Sequence, residues 1–358
     1  MKTILAKVES DSLDTMETIQ TAGRILREGG LVAFPTETVY GLGGNGLDGE
    51  ACKKIYLAKG RPSDNPLILH ISEREELKNI VREISPAAEK LMDAFWPGPL
   101  TLVFPKADCV PVQATGGLDT VAVRFPNHPV ARAIIRAAGV PIAAPSANSS
   151  GKPSPTRASH VEFDLNGKID MIVDGGAAEW GLESTIADVS GEVPVILRPG
   201  AVTREMMEKV VGEVRIDPTL LEKPTELLRP LAPGMKYTHY SPKAKVVLVA
   251  GEQGTVLECV NARVAADKAE GKKTGVMATE ETKELYHADV VLSLGSREDL
   301  EQIGANLFKL LRKFDFLGVD CVYSEVFPEE GEGMAIMNRL QKAAGYRIIH
   351  TDMTDTED

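Results

Sequence analysis

Hydroxyl, carboxylate and cationic side chains are concentrated between residues 35 and 61. Residues 31–34 form a short apolar run typical of a buried strand, and Pro35 ends it because proline has no N–H to donate. Four polar side chains follow, and after them come glycines that we expect to let the backbone approach a ligand: Thr36, Glu37, Thr38, Tyr40, Gly41, Gly43 and Gly44. Lys59 and Arg61 follow a predicted helix over 48–58, and these cations either form a solvated helix end or bind a polyphosphate. In the second case we expect the Lys59 side chain to be exposed to the pocket.

Further polar groups lie on or after other predicted strands. Arg124 falls on a predicted strand over 121–125, where a buried guanidinium needs a protein carboxylate or a bound anion. His70, inside a predicted strand over 67–71, is either structural or a neutral imidazole that orients a small substrate. Ser146 and Asn148 end another apolar run. Together these groups indicate a polar, multiply cationic pocket of the kind that binds a nucleotide.

Several catalytic signatures are absent from the sequence. It contains no G-x-x-x-x-G-K-[ST] loop, no H-E-x-x-H zinc motif and no G-x-S-x-G elbow. We therefore expect catalysis by positioning and electrostatics rather than through a covalent nucleophile, and no metal held by a dedicated protein site.

The charge and composition restrict the class of protein. The net charge of −12 argues against a protein whose main task is to grip nucleic acid. No apolar run reaches membrane-spanning length, and the four cysteines form no C-x-x-C pair. We expect a cytoplasmic protein without membrane association.

The elements that must position these residues fall into two predicted domains. Helix and strand patterns alternate through residues 1–215, and several strands follow one another without a crossover helix, which predicts a mixed sheet. Residues 246–358 predict a smaller α/β domain with an open, largely parallel sheet. The proline-rich residues 216–245 between them are either a plain linker that packs its tyrosines on a surface or a lid over the first domain's pocket.

The order of these segments resembles the YrdC-like family, and most closely its long two-domain members, the L-threonylcarbamoyladenylate synthases. The resemblance covers nearly the whole chain, through residues 35–43, 59–66, 96–101, 115–124, 145–156, 181–185, 197–200, 232–242 and 333–339. It implies a twisted, mixed YrdC-like sheet followed by a Rossmann-like C-terminal domain. It also implies a nucleotidyltransferase that converts L-threonine, bicarbonate and ATP to threonylcarbamoyl-AMP, pyrophosphate and water, the first step of tRNA threonylcarbamoyladenosine modification.

The resemblance also implies roles for individual residues. Lys59 and Arg61 would be catalytic. Threonine would be bound by Thr36, His70, Thr120, Arg124 and Ser184. The nucleotide would be bound by Lys59, Arg61, Ser63, Asn65, Ser146, Asn148, Ser154, Arg198, Tyr237 and His239. Mg²⁺ would accompany ATP, and downstream threonylcarbamoyl-transfer proteins would take the product, so that contact with tRNA is indirect.

Two other functions compete with this one. A YrdC-like domain also suits an RNA-binding module, which the net charge weakens. The carbamoyl-transfer module of hydrogenase maturation shares the domain, but its cysteine-rich zinc motifs are absent from this sequence.

Overall fold

The computed structural model describes residues 2–8, 14–220, 230–235 and 240–351. The chain divides into two compact units, one of residues 1–150 and 154–237, the other of residues 151–153 and 238–358. The division at 237/238 falls inside the segment that the sequence predicts as a linker.

The first unit is built on one sheet of eleven strands. The strands are β1 Ile4–Lys7, β2 Val32–Phe34, β3 Gly41–Asn45, β4 Ile68–His70, β5 Leu100–Pro105, β6 Thr120–Arg124, β7 Ile142–Ala143, β8 Met171–Asp174, β9 Thr185–Asp188, β10 Val195–Arg198 and β11 Arg215–Ile216. Their spatial order is β1-β8-β2-β3-β7-β4-β6-β5-β9-β10-β11. Parallel pairs such as β4/β6 adjoin antiparallel pairs such as β5/β6, so the predicted mixed sheet is confirmed.

Seven α-helices flank this sheet in the described part of the unit. They are α1 Asp14–Arg27, α2 Gly49–Lys59, α3 Pro86–Phe95, α4 Val112–Thr115, α5 Pro129–Ala138, α6 Ala158–Leu165 and α7 Arg204–Val211. Short 3-10 turns occur at Arg74–Asn79 and Pro218–Leu220. Helix α2 ends at Gly60, whose φ of 64° is the left-handed conformation that glycine adopts without strain. This ending leaves Lys59 in the last helical turn, directed toward the loop after β7.

The glycines after Tyr40 pack in the core and do not form a loop against a ligand. They lie in β3, which pairs with β2 and β7. A Cβ on Gly43 would meet a Phe34 ring atom at 2.7 Å, and one on Gly44 would meet Ile55 at 3.1 Å. The expectation of backbone approach to a ligand is wrong here. Small residues are needed because neighbouring apolar side chains occupy the space.

One face of the sheet carries both the candidate site and part of the linker. The apolar side chains that alternate on this face form a cluster with two linker residues, and the members are Ile68, Val103, Ala122, Ile186, Leu197, Ala232 and Met235. His70 and Arg124 lie two positions along their strands from Ile68 and Ala122, and strand side chains alternate with a period of two. They therefore share this face, which we call the site face.

The second unit is a parallel α/β sheet. Its strands are β12 Lys245–Ala250, β13 Thr274–Ala278, β14 Val290–Ser293, β15 Cys321–Glu325 and β16 Ile348–His350, in the order β14-β13-β15-β12-β16. The helices are α8 Gln253–Ala269, α9 Leu300–Phe316 and α10 Glu332–Ala343, and a 3-10 turn occurs at Lys283–Leu285. All strand pairs are parallel, so the predicted open α/β domain is confirmed. No helix within the described ranges is long and apolar enough to cross a membrane.

Candidate functional site

Arg124 lies at the centre of the site face. It is the last residue of β6, and the strand register places His70 of β4 on one side of it and Thr101 of β5 on the other. The three side chains come from three adjacent strands, and all are buried. This arrangement brings together two residues predicted for threonine binding, His70 and Arg124, and adds a third, Thr101, that the sequence reasoning missed.

The loop after β2 covers the guanidinium of Arg124. Arg124 Nη1 donates to Thr38 Oγ1 at 2.8 Å and Nε donates to the Gly98 carbonyl at 3.3 Å. Nη2 lies 2.7 Å from Glu37 Oε1. The predicted need of Arg124 for an anionic partner is thus met in part by a carboxylate of the chain itself.

Thr36 stabilises the conformation of this loop. Its hydroxyl donates to the Val39 carbonyl at 2.6 Å, lies 2.9 Å from Thr38 Oγ1, and accepts from the Thr38 and Val39 amides. The loop is also tied to its surroundings, because Trp180 N donates to Glu37 O and Tyr40 OH donates to Gly176 O. Thr36 therefore holds Thr38 in contact with Arg124.

His70 is a neutral imidazole. Burial, followed by the neighbouring charge of Arg124, lowers the pKa of His70 to about 3. Its Nδ1 lies 3.1 Å from the Ile68 carbonyl, which fixes the ring beside Arg124. A neutral ring avoids a second positive charge next to the guanidinium. It is also the protonation state required if His70 orients a small substrate, one of the two roles that the sequence left open.

Ser184 and Arg198 together link the site face to the linker segment. Its Oγ lies 2.8 Å from Thr101 Oγ1 and accepts from Arg198 Nη2 at 3.2 Å. Arg198 Nε also donates to the Ser184 carbonyl, and Nη1 donates to the Pro233 carbonyl at 3.4 Å. Arg198 therefore contacts the serine predicted for threonine and the segment predicted as a lid.

Lys59 joins helix α2 to the loop after β7. Its Nζ donates to the Asn148 carbonyl at 2.6 Å and to the Ser146 carbonyl, and its own carbonyl accepts from Ser150 N. Ser146 Oγ donates to Asn148 Oδ1 at 2.6 Å. Lys59 is 4% exposed, so its expected exposure to the pocket is wrong. The loop carbonyls turn the ammonium inward, which brings three residues predicted for the nucleotide together.

Four other residues predicted for the nucleotide belong to the same unit, namely Arg61, Ser63, Asn65 and Ser154. Arg61 Nη2 donates to the Pro66 carbonyl at 2.9 Å, which closes the loop that carries exposed Ser63 and buried Asn65. Ser154, also buried, donates its hydroxyl to the carboxylate of Glu183, the residue before Ser184.

Thr120, predicted for threonine, is not brought to Arg124 by the structure. Thr120 begins β6, four residues before Arg124, and at about 3.3 Å per residue the two are about 13 Å apart, farther than one amino acid spans. The resemblance implied a threonine contact for Thr120, but the four-residue interval puts it on the same face as Arg124 at the opposite end of β6. Tyr237 and His239 lie outside the described residues.

The sequence pattern could have indicated Thr101 as a functional residue, but not the contact of Thr38. Thr101 is the polar residue inside the apolar strand β5, and a buried hydroxyl requires a partner. Thr38 shares the short polar segment with Thr36. Its contact with Arg124 depends on a pairing 86 positions away in sequence, which local pattern does not specify.

Comparison with known proteins accords with this geometry. Residues 24–200 match the Sua5/YciO/YrdC family, described as telomere recombination, and residues 202–345 match the C-terminal domain of threonylcarbamoyl-AMP synthase. The chain is 52% identical to the threonylcarbamoyl-AMP synthase of Pyrococcus abyssi over 92% of this chain and 95% of that one. The chain belongs to the threonylcarbamoyl-AMP synthase family.

Two more relatives extend the match to nearly the full chain. The threonylcarbamoyl-AMP synthase of Bacillus subtilis is 48% identical over 95% of this chain and 97% of its own. A structure of P. abyssi Sua5 complexed with L-threonine superposes with a TM-score of 0.92 at 50% identity, over 97% of this chain and 99% of that one. This family member forms threonylcarbamoyl-AMP from L-threonine, bicarbonate and ATP with release of pyrophosphate, the first step of tRNA threonylcarbamoyladenosine modification.

Proposed function

We propose that threonine binds on the site face with its carboxylate at Arg124, between His70 and Thr101. The observation that carries this assignment is the guanidinium itself, which is buried at a strand end and whose Nη2 lies 2.7 Å from Glu37 Oε1 but makes no hydrogen bond to any described residue. A planar guanidinium binds a carboxylate through two parallel hydrogen bonds, which an ammonium does not reproduce. The Ser184 hydroxyl, held by Thr101 and Arg198 just before strand β9, is a further contact for threonine in this proposal.

The nucleotide binds, in this proposal, to Lys59, Arg61, Ser63, Asn65, Ser146, Asn148, Ser154 and Arg198. The chemistry requires an oxygen of threonine carbamate to attack the α-phosphorus of ATP, with pyrophosphate as the leaving group. Lys59 and Arg198 would stabilise the charge that develops on the phosphates, since preorganised cations act strongly where water is excluded.

Mg²⁺ enters, in this proposal, as part of the ATP substrate. The triphosphate oxygens are the hard ligands that Mg²⁺ prefers, and the ion would neutralise charge on the leaving pyrophosphate. Arg61 lies in a loop closed on its own carbonyls and so supplies a fixed positive charge beside the phosphates.

The linker segment around Met235 acts as a lid in this proposal. Ala232 and Met235 pack on the site face, and the Pro233 carbonyl accepts from Arg198. Both the carbamate and the mixed anhydride react with water, so a cover over the site protects them. We also propose that downstream threonylcarbamoyl-transfer proteins receive the product in the cytoplasm, so that this chain meets tRNA only indirectly.

Calorimetric titration with L-threonine tests the threonine assignment. Arg124→Lys should weaken threonine binding by at least about tenfold, because the bidentate contact is lost. Arg136→Lys is the matched control, since Arg136 lies on the surface and pairs with Glu73. Equal affinity of the Arg124 variant and the wild type would place the threonine carboxylate elsewhere.

A further inference from the structure

The carboxylate of Glu37 has hydrogen-bonding capacity that the described chain does not fill. Glu37 and Arg124 form an ion pair of 2.7 Å between side chains that are 7% and 5% exposed. The two atoms do not meet at hydrogen-bonding angles. Neither oxygen of Glu37 accepts a hydrogen bond from any residue that the structure describes. A buried carboxylate ordinarily accepts several, because the loss of water is otherwise costly.

Glu325 in the second unit shows what a structural buried carboxylate looks like in this chain. Its Oε1 accepts from Tyr286 OH at 2.8 Å and from Thr282 Oγ1 at 2.5 Å, and its Oε2 pairs with Arg297. Glu325 and Glu37 are both nearly inaccessible to water. The difference is that two hydroxyls donate to Glu325 in addition to its ion pair, whereas Glu37 has its ion pair with Arg124 and no hydrogen bond from a described residue.

The unfilled groups at Glu37 and Arg124 are complementary to an α-amino acid. Glu37 Oε1 and Arg124 Nη2 lie 2.7 Å apart, neither makes a hydrogen bond to a described residue, and both side chains are buried. An α-amino acid carries an ammonium and a carboxylate on one carbon, so the two charges are separated by a similarly short span. Resting on the threonine assignment above, we propose that Glu37 binds the α-ammonium of threonine while Arg124 binds its carboxylate.

The local fold supports a binding role for Glu37. Its main chain is fixed by hydrogen bonds. Trp180 N donates to the Glu37 carbonyl at 2.9 Å, and the amides of Thr38 and Val39 donate to Thr36 Oγ1. The side chain is therefore presented from a held loop toward the end of β6. Arg124 in turn is oriented by Thr38 and Gly98, so the carboxylate is not needed as its only positioning contact.

Loss of the Glu37 charge should affect a ligand only if that ligand carries an ammonium. The test compares L-threonine with 2,3-dihydroxybutanoate of matching configuration, in which a hydroxyl replaces the ammonium. For Glu37→Gln we expect threonine affinity to fall at least tenfold, while affinity for the dihydroxy acid stays within about twofold of wild type or rises. Glu179→Gln is the control, because Glu179 is an exposed carboxylate beside Trp180, and it should alter neither affinity by more than about twofold.

The outcomes separate this inference from the assignment on which it rests. Equal losses for both ligands in a folded Glu37→Gln protein would overturn the ammonium contact and make Glu37 a support for Arg124. If the wild type bound neither ligand, the threonine assignment itself would fail. Glu37→Asp guards against misfolding of the glutamine variant, since it keeps the charge. This variant should discriminate threonine from the dihydroxy acid less than wild type does, and unchanged discrimination would contradict the proposal.

Discussion

Lys59 Nζ donates a hydrogen bond to the backbone carbonyl of Asn148 at 2.6 Å, across 89 positions of sequence. This contact fixes the end of helix α2 against the loop that carries Ser146. The lysine is therefore a buried structural cation as well as a residue of the proposed nucleotide site.

Replacement of Lys59 should impair stability and turnover together. In Lys59→Met the carbonyls of Ser146 and Asn148 lose a charged donor, which should lower the free energy of unfolding by about 1–3 kcal/mol. Pyrophosphate formation should fall by about 100-fold or more, because a phosphate cation is removed. Chemical denaturation and initial rates measure the two effects.

Lys53→Met is the matched control for this substitution. Lys53 lies on the same helix, is exposed and pairs with Glu50. Its loss should change stability by less than about 0.5 kcal/mol and leave turnover unchanged. Normal turnover in the Lys59 variant would contradict the phosphate assignment.

The hydroxyl pair of Thr101 and Ser184 should tune threonine binding. Thr101→Val keeps the side-chain shape but removes the partner of Ser184 Oγ, so KM for threonine should rise about fivefold, equivalent to about 1 kcal/mol. Thr115→Val removes a similar buried hydroxyl, which donates to the Leu118 carbonyl. A comparable rise in KM for the Thr115 variant would show a general loss of stability rather than a local effect.

The segment around Met235 should be required for activity if it is a lid. In Met235→Asp a charge replaces a buried side chain of the site-face cluster, which should release the segment. We expect pyrophosphate formation to fall at least about tenfold. Leu231→Asp, at a residue 42% exposed, should stay within about twofold of wild type. Full activity of the Met235 variant would identify the segment as a spacer.

Protonation of His70 in the unfolded chain should reduce the stability of the folded protein in acid. The pKa of His70 is about 3 in the folded protein, against an ordinary value of 6.5. Between these values the unfolded chain binds a proton that the native protein excludes. The free energy of unfolding is therefore unaffected by His70 well above pH 6.5. It falls as the pH falls through this window, by at most about 1.4 kcal/mol per pH unit.

Denaturation midpoints between pH 6.5 and 5.5 measure this dependence, since carboxylates titrate mostly below that range. His70→Gln should show a shallower decline over the same interval. Identical slopes for variant and wild type would show that another group dominates the acid sensitivity.

The sequence predicted the mixed sheet and the strand-end position of the polar residues because both follow from local periodicity. It did not predict that Gly43 and Gly44 pack within a strand, because the Phe34 and Ile55 side chains that require them come from other elements. For the same reason it did not predict the burial of Lys59, which we expected to be exposed to the pocket. The Ser146 and Asn148 carbonyls that bury it lie 87 and 89 positions away.

The family resemblance implied one site for His70 and Arg124, and the β4/β6 register brings them side by side. The assignment of Glu37 was beyond the sequence. A carboxylate next to three hydroxyl residues reads equally as scaffold or as ligand contact, and only the donors that surround it distinguish the two.

The central claim, that the site face joins threonine, bicarbonate and ATP, is tested most directly by pyrophosphate release from ATP without tRNA. Threonine and bicarbonate are omitted in turn, with Arg124→Lys assayed in parallel. The account predicts release only when both are present, with the Arg124 variant requiring more threonine. Release that is independent of threonine, or an Arg124 variant with the wild-type threonine requirement, would contradict it.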